Sequence, residues 1–253
     1  MLGLKTVRIG RHIMKRLAII LPLLFAAATA QADPLKLVTE EYPPFSFREN
    51  GVYKGASIDQ VDILMDKARL EYSIEMMPWA RALKLAETEA STCVFTTVHN
   101  AERDKKFKWV EPLLAGRTVL IRKKGSTIAP QTLKEATAYH IGTQRGDFTA
   151  DVLKANNFAK VDLASDFNLT YKKLMLGRID MMPISAKYYE KLKGEGAEVE
   201  FVLILAEQIY SIACNQGVAD AAVARMQAAL DALIADGTQK ALFAKYGLDK
   251  TDN

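Results

Sequence analysis

The chain predicts an α/β protein in two lobes, each a sheet covered by helices, with the polypeptide crossing between them twice. Three observations carry this expectation. Short apolar strands alternate with amphipathic helices over residues 35–97. The same rhythm restarts at 138 and runs to 204. Two apolar passages, 112–124 and 202–212, join the halves, and the chain then closes with two helices. The expected boundaries are lobe 1 at 33–117 plus 208–253 and lobe 2 at 122–203, with hinge crossings at 118–121 and 204–207.

The elements follow from spacing and breakers. Residues 35–39 read as a strand, broken by Tyr42-Pro43-Pro44-Phe45, because proline has no N–H for a ladder. Ile58, Val61, Leu64, Met65 and Ala68 recur at helical spacing. A strand at 72–77, a helix at 79–87 and a strand at 92–97 complete a β-α-β-α-β run, which implies a largely parallel sheet. The second run has strands at 138–142, 160–163, 180–184 and 198–204. Its helices are at 148–155, 169–176 and 186–192, the middle one stopped by Gly177. Val223, Met226, Leu230 and Leu233 mark the penultimate helix. Asp236-Gly237-Thr238 ends it and can cap the last, which carries Leu242, Phe243 and Tyr246. The architecture repeats; the sequence does not.

Residues 1–32 are of another kind. Lys5, Arg8, Arg11, Lys15 and Arg16 come first without an acid, residues 17–29 are almost wholly apolar, and Ala30-Gln31-Ala32 supplies small-x-small. That order is the order of a cleaved export signal, with the mature chain starting near Asp33. The apolar run falls short of the roughly 20 residues that span a bilayer. No cysteine stands at the cleavage site, which argues against a lipid anchor. Met14-Lys15-Arg16 would make a more usual start than Met1. The expected location is a Gram-negative periplasm.

Removing the signal reverses the charge. The whole chain has 34 Lys+Arg against 30 Asp+Glu; without the five basic residues of the signal, 29 face 30, a net of −1. No basic stripe suggests nucleic acid. No Cys/His cluster has metal spacing, and no cofactor is expected. The mature chain is expected to act as a monomer. Cys93 and Cys214 are the only cysteines. In an oxidising compartment they can pair, or remain buried thiols; the sequence leaves both open.

Several motifs together resemble the bacterial family 3 solute-binding proteins, which serve polar amino-acid transporters. They are Tyr42-Pro43-Pro44-Phe45, Gly55-Ala56-Ser57-Ile58-Asp59, Thr97-Val98-His99-Asn100-Ala101-Glu102-Arg103 and Phe107-Lys108-Trp109-Val110-Glu111-Pro112. Gly177-Arg178-Ile179-Asp180 and Lys245-Tyr246-Gly247-Leu248 follow. Each is short; their order and spacing carry the resemblance over the mature chain. It implies a periplasmic-binding-protein type II-like fold, with two α/β lobes joined by two crossover strands around a cleft. It also implies hinge closure on a small solute and delivery to an ATP-driven ABC permease.

The resemblance also implies site residues. Arg103 corresponds to an arginine that forks onto a ligand α-carboxylate, a geometry a guanidinium matches with two parallel donors. Thr96 and Thr97 lie at the strand end that binds the same carboxylate, and Tyr42 at an aromatic that stacks on the ligand. Trp79 begins a helix facing the expected cleft; Trp79-x-Arg81 resembles a subgroup. Trp109 reads as structural. In lobe 2, Gln144-Arg145-Gly146-Asp147 precedes a helix that Asp147 can cap. Relatives have a Gly-Thr pair at Gly146-Asp147, so Asp147 and Arg145 add charge. His99 stands where near relatives often have arginine. The main departure is Ser185, where amino-acid binders usually carry an aspartate for the α-ammonium. A desolvated ammonium needs a counter-charge, so Asp147, Glu40 or Glu41 supplies it, or the ligand has no α-ammonium.

Three function classes fit. The leading one is a transport receptor for a small polar solute, an amino acid or amino-acid-like carboxylate, without turnover. The second is an enzyme on this scaffold, such as a cyclohexadienyl-dehydratase type with Glu40, Glu41 or Asp147 as general acid; no nucleophile–base pair can be assembled. The third is a sensor presenting ligand to a membrane signalling protein.

Overall fold

The structure is a computed structural model that describes residues 34–249, so the expected export signal lies outside the described residues. The first half folds as read. β1 (Leu35–Thr39), β4 (Tyr72–Met76) and β5 (Thr92–Val98) run parallel, with β1 in the middle. α1 (Ala56–Ala68) buries the residues whose spacing predicted it, and ends at Arg69 in the left-handed region. α2 (Trp79–Thr88) covers the other face. Because side chains alternate along a strand, Leu37, Cys93 and Phe95 pack with α1 while Val38 and Val94 pack with α2. A sheet covered on both faces explains why the inner strand β5 is buried almost throughout, whereas the edge strand β4 alternates.

The two crossings belong to single long strands. β6 (Phe107–Lys123) and β10 (Val199–Asn215) pair antiparallel over their length with three register shifts. At about 3.3 Å per residue each extends roughly 55 Å. The full sheet has the order β4-β1-β5-β10-β6-β9, where β9 is Met182–Ser185. Residues 118–121, expected as a crossing, pair with β9 as well as β10. Ala115, Gly116 and Arg117, opposite Ile209, Gln208 and Glu207, form a ribbon flanked by neither β5 nor β9. Pro112 reads as a breaker in sequence, but it falls where the register shifts, so no ladder bond is lost there.

The second half carries α3 (Leu133–Ala136), β7 (Ile141–Gln144), α4 (Phe148–Ala155), β8 (Val161–Ala164), α5 (Phe167–Met175) and α6 (Ala186–Gly194). β7 and β8 form a parallel pair, bridged to the main sheet at Ile141 and Met181. β7 starts three residues after its expected position because Ala138 and Tyr139 complete the turn that ends α3. α5 starts two residues early, where the Asp166 side chain accepts from the Leu169 N–H. α7 (Asp220–Ala235) packs against α1, and α8 (Thr238–Lys245) follows. The sequence reading missed the hairpin of β2 (Phe47–Glu49) and β3 (Val52–Lys54). Its signal was Asn50-Gly51, both at positive φ, the pair a tight two-residue hairpin favours. Cys93 and Cys214 face each other across β5 and β10 and form a disulfide inside the core that α1 and α7 cover.

Candidate functional site

A cavity of about 50 Å³ lies between the carboxyl ends of β1 and β5 and the segment β7–α4. One water needs roughly 10–15 Å³ on this kind of measure, so the space suits a small solute. Ligands in α/β sheets sit at the carboxyl ends of strands, where loops and helix N-termini converge. Glu40 and Tyr42 follow β1, Thr96 lies in β5, Arg103 in the next loop, and Trp79 opens α2. From the opposite side come Gln144 at the end of β7, Asp147 capping α4, Phe167 opening α5, and Ser185 ending β9.

Polar contacts cross this cleft. The buried Arg103 guanidinium donates to the Val98 carbonyl at 3.0 Å and the Gly146 carbonyl at 2.7 Å. Trp79 Nε1 donates to the same Gly146 carbonyl at 2.8 Å, and Arg103 lies 5.5 Å from the Trp79 ring centre. Burial lowers the Arg103 pKa; the carboxylates of Asp147, Asp151 and Glu87 oppose this. Gln144 Nε2 donates to both Glu40 carboxylate oxygens at 3.0 and 3.1 Å. The Ser185 N–H donates to the Tyr42 hydroxyl at 2.8 Å. Tyr42 also meets Phe167 and Tyr188 edge-on.

Two features mark the cavity as a place of interaction. Thr96 is a β-branched residue at φ 59° within a strand, and a side chain costs energy in that region unless its surroundings hold it there. The Ser46 and Thr96 hydroxyls and Gln144 Oε1 are buried and have no hydrogen-bond partner. Buried polar atoms are rarely left so. Burial, with repulsion from Asp147 next, raises the Glu40 pKa to about 8, although the Gln144 bond acts the other way.

Six expected site residues line this cavity: Arg103, Thr96, Tyr42, Trp79, Asp147 and Ser185. Four do not. Thr97 is buried outside the cavity wall, and its hydroxyl donates to the Val94 carbonyl. Glu41 and Arg145 are exposed. His99 lines a separate groove beside the β6–β10 ribbon. There its ring stacks on Trp109 at 4.0 Å and its nitrogens meet Asp104 and Glu111, each at 3.0 Å. The cavity wall that the sequence reading missed includes Ser46, Gln144 and Tyr210. Tyr210 carried no sequence signal, since it lies far along the chain in a long apolar strand.

A cleft at strand ends, with polar atoms turned inward from two α/β units, is the site of a solute-binding protein. Residues 35–249 match the bacterial extracellular solute-binding proteins, family 3, and the chain belongs to that family. No curated protein matches the chain significantly. Among solved structures, an ancestral arginine-binding protein bound to arginine is 22% identical with a TM-score of 0.75, over 85% of this chain and 99% of that one. A histidine kinase sensor domain with similarity to periplasmic binding proteins is 15% identical with a TM-score of 0.78, over 85% and 96%. An ancestral amino acid-binding protein described as a precursor of cyclohexadienyl dehydratase is 19% identical with a TM-score of 0.72, over 84% and 94%. The chain shares their fold, two α/β lobes joined by two crossover strands with a cleft between them.

Proposed function

We propose that this chain is an exported receptor that captures a small amino acid, or a carboxylate of that kind, by closing two lobes, and delivers it to an ABC permease in the inner membrane without turnover. The observation that carries this reading is the cavity whose buried hydroxyl and amide oxygens lack partners inside the protein. The family and the amino-acid-binding neighbours agree with it. The carboxylate belongs on Arg103: a guanidinium has five N–H donors and two are used by carbonyls. Lobe 1 is residues 33–117 plus 208–253 and lobe 2 is 122–203; the pivot moves from the expected 118–121 and 204–207 to the edge of lobe 1, the two-stranded ribbon of 115–117 with 207–209, because 118–121 also pairs with β9.

A second reading has a specific observation behind it. Glu40, raised to about 8, is the kind of carboxyl that can serve as a general acid. One experiment separates the two. Amino acids, organic acids, prephenate and arogenate are screened by thermal shift and calorimetry, and the last two are followed for consumption. A receptor is stabilised by its ligand through mass action and consumes neither compound, and Arg103→Ala removes the binding. Loss of prephenate or arogenate in the wild type, absent from Glu40→Gln, would make the chain an enzyme. No stabilisation by any amino or organic acid would end the receptor reading.

A further inference from the structure

Trp79 lines the cavity, yet its polar atom is turned to protein. The ring opens α2 and is buried in the first lobe's core, packed with Val38, Ala82 and Val94. Its one donor, Nε1–H, reaches the carbonyl of Gly146, in the turn between β7 and α4, at 2.8 Å. Arg103 donates to the same carbonyl at 2.7 Å, so both lone pairs of that oxygen are filled from the first lobe. Gly146 sits at φ 76°, a left-handed conformation that glycine enters without strain. A Cβ there would lie 3.6 Å from Leu83 and 3.8 Å from Ala80 and Trp79, so the turn already rests within van der Waals reach of α2. A lesser contact joins Asn100 Nδ2 to Asp151 Oδ2 on α4, at 3.4 Å and exposed. In each case both partners are protein groups, one from each lobe.

We infer that Trp79 is a latch: its indole N–H on the Gly146 carbonyl holds the two lobes together and leaves the choice of ligand to other residues. It is a positioning residue, which acts by bringing the β7–α4 turn, with Gln144 and Asp147, against Glu40 and Arg103. The inference takes from the receptor reading that there is a ligand to close on; the latch itself stands on the bonds. In the free chain the latch makes and breaks, and only the closed form presents the whole cavity wall. Apparent affinity is then the intrinsic affinity scaled by the closed fraction. Weakening the latch lowers that fraction alike for every ligand, so all affinities fall by one factor and their order is kept. A residue that reads the ligand would change the order. In Trp79→Phe the Arg103 bond still fills the Gly146 carbonyl, so the loss is that of one net hydrogen bond, roughly 3–10-fold in affinity.

The chain has two tryptophans, and Trp109 stacks on His99 outside the cavity. Trp109→Phe therefore leaves Trp79 as the single indole emitter. The probes are the standard amino acids and their 2-oxo acids, titrated by calorimetry into the wild type and Trp79→Phe, with the fluorescence of Trp109→Phe followed alongside. Every probe that binds should do so roughly 3–10-fold more weakly to Trp79→Phe, in unchanged order. Each should also move the Trp79 emission to shorter wavelength, as the indole N–H leaves water. Small-angle scattering of the free chains should give Trp79→Phe a larger radius of gyration than the wild type. An altered order of preference, an unchanged affinity, an emission that no binder shifts, or equal radii overturns the latch and leaves the receptor reading standing. If no probe binds, the receptor reading fails and scattering alone decides the latch: the larger radius upholds it and equal radii end it.

Discussion

Glu40 and Glu41 are adjacent acids with opposite fates. One lines the cleft and the other is exposed to solvent. The cavity makes Glu40 hold its proton up to about pH 8, against 4.5 ordinarily. The sign for stability follows. The folded state binds the proton more tightly than the unfolded chain, so this contribution is complete below about pH 4.5 and is lost as pH rises to about 8. In magnitude it is roughly 3–5 kcal/mol. The ligand-free protein should therefore lose stability to urea between pH 5 and 8, and Glu40→Gln should flatten that slope. Equal slopes in the two proteins would remove Glu40 as the titrating group. The adjacent pair also shows how far the sequence was legible at this scale. Both acids could be named as sources of charge, but which one faced the cavity depends on the phase of the chain after Thr39.

At the scale of elements, the loop that carries Tyr42 and Ser46 is tied to α1. The Ala56 and Ser57 N–H groups, free at the helix start, donate to the Pro44 and Phe45 carbonyls. Gly55 makes this approach feasible. It sits at φ 127°, and a Cβ there would lie 2.2 Å from the Phe45 carbonyl oxygen, a backbone atom that cannot move aside cheaply. Gly55→Ala should cost on the order of 2–4 kcal/mol and weaken ligand binding, since the loop must shift. A melting temperature within about 1 °C of wild type would contradict this close packing. Periodicity revealed α1, α4 and α7 because each buries one stripe. It could not reveal that β6 and β10 run unbroken through both lobes, since Pro112 and Glu207-Gln208 look like breaks until their partners are known. In place, Gln208 is buried and donates to the Thr118 and Tyr210 hydroxyls.

For the whole molecule, the disulfide closes a loop of 121 residues, from the first lobe through the second and back. Cross-linking so long a loop restricts the unfolded chain, an effect of about 4–5 kcal/mol in the chain-entropy account. Replacing both Cys93 and Cys214 by serine should lower the melting temperature by roughly 10 °C or more, and calorimetry with and without reductant measures it. An unchanged transition would mean that the bond does not form in solution. The disulfide is in the first lobe's core, so the double variant should still bind ligand at low temperature. The cleft-spanning bonds of Arg103, Trp79, Gln144 and Tyr42 are independent of it.

By itself the sequence determined the alternation of strands and helices, the faces they bury, and the placing of Tyr42, Trp79, Thr96 and Arg103 near one another, because periodicity and short motifs are local properties. Tertiary structure alone decided that the crossings are continuous strands, that Cys93 meets Cys214, that Tyr210 and Gln144 join the wall, and that Glu40 rather than Glu41 faces it. These are matters of register and of which side of an extended chain points inward, and both are set by partners more than a hundred residues away.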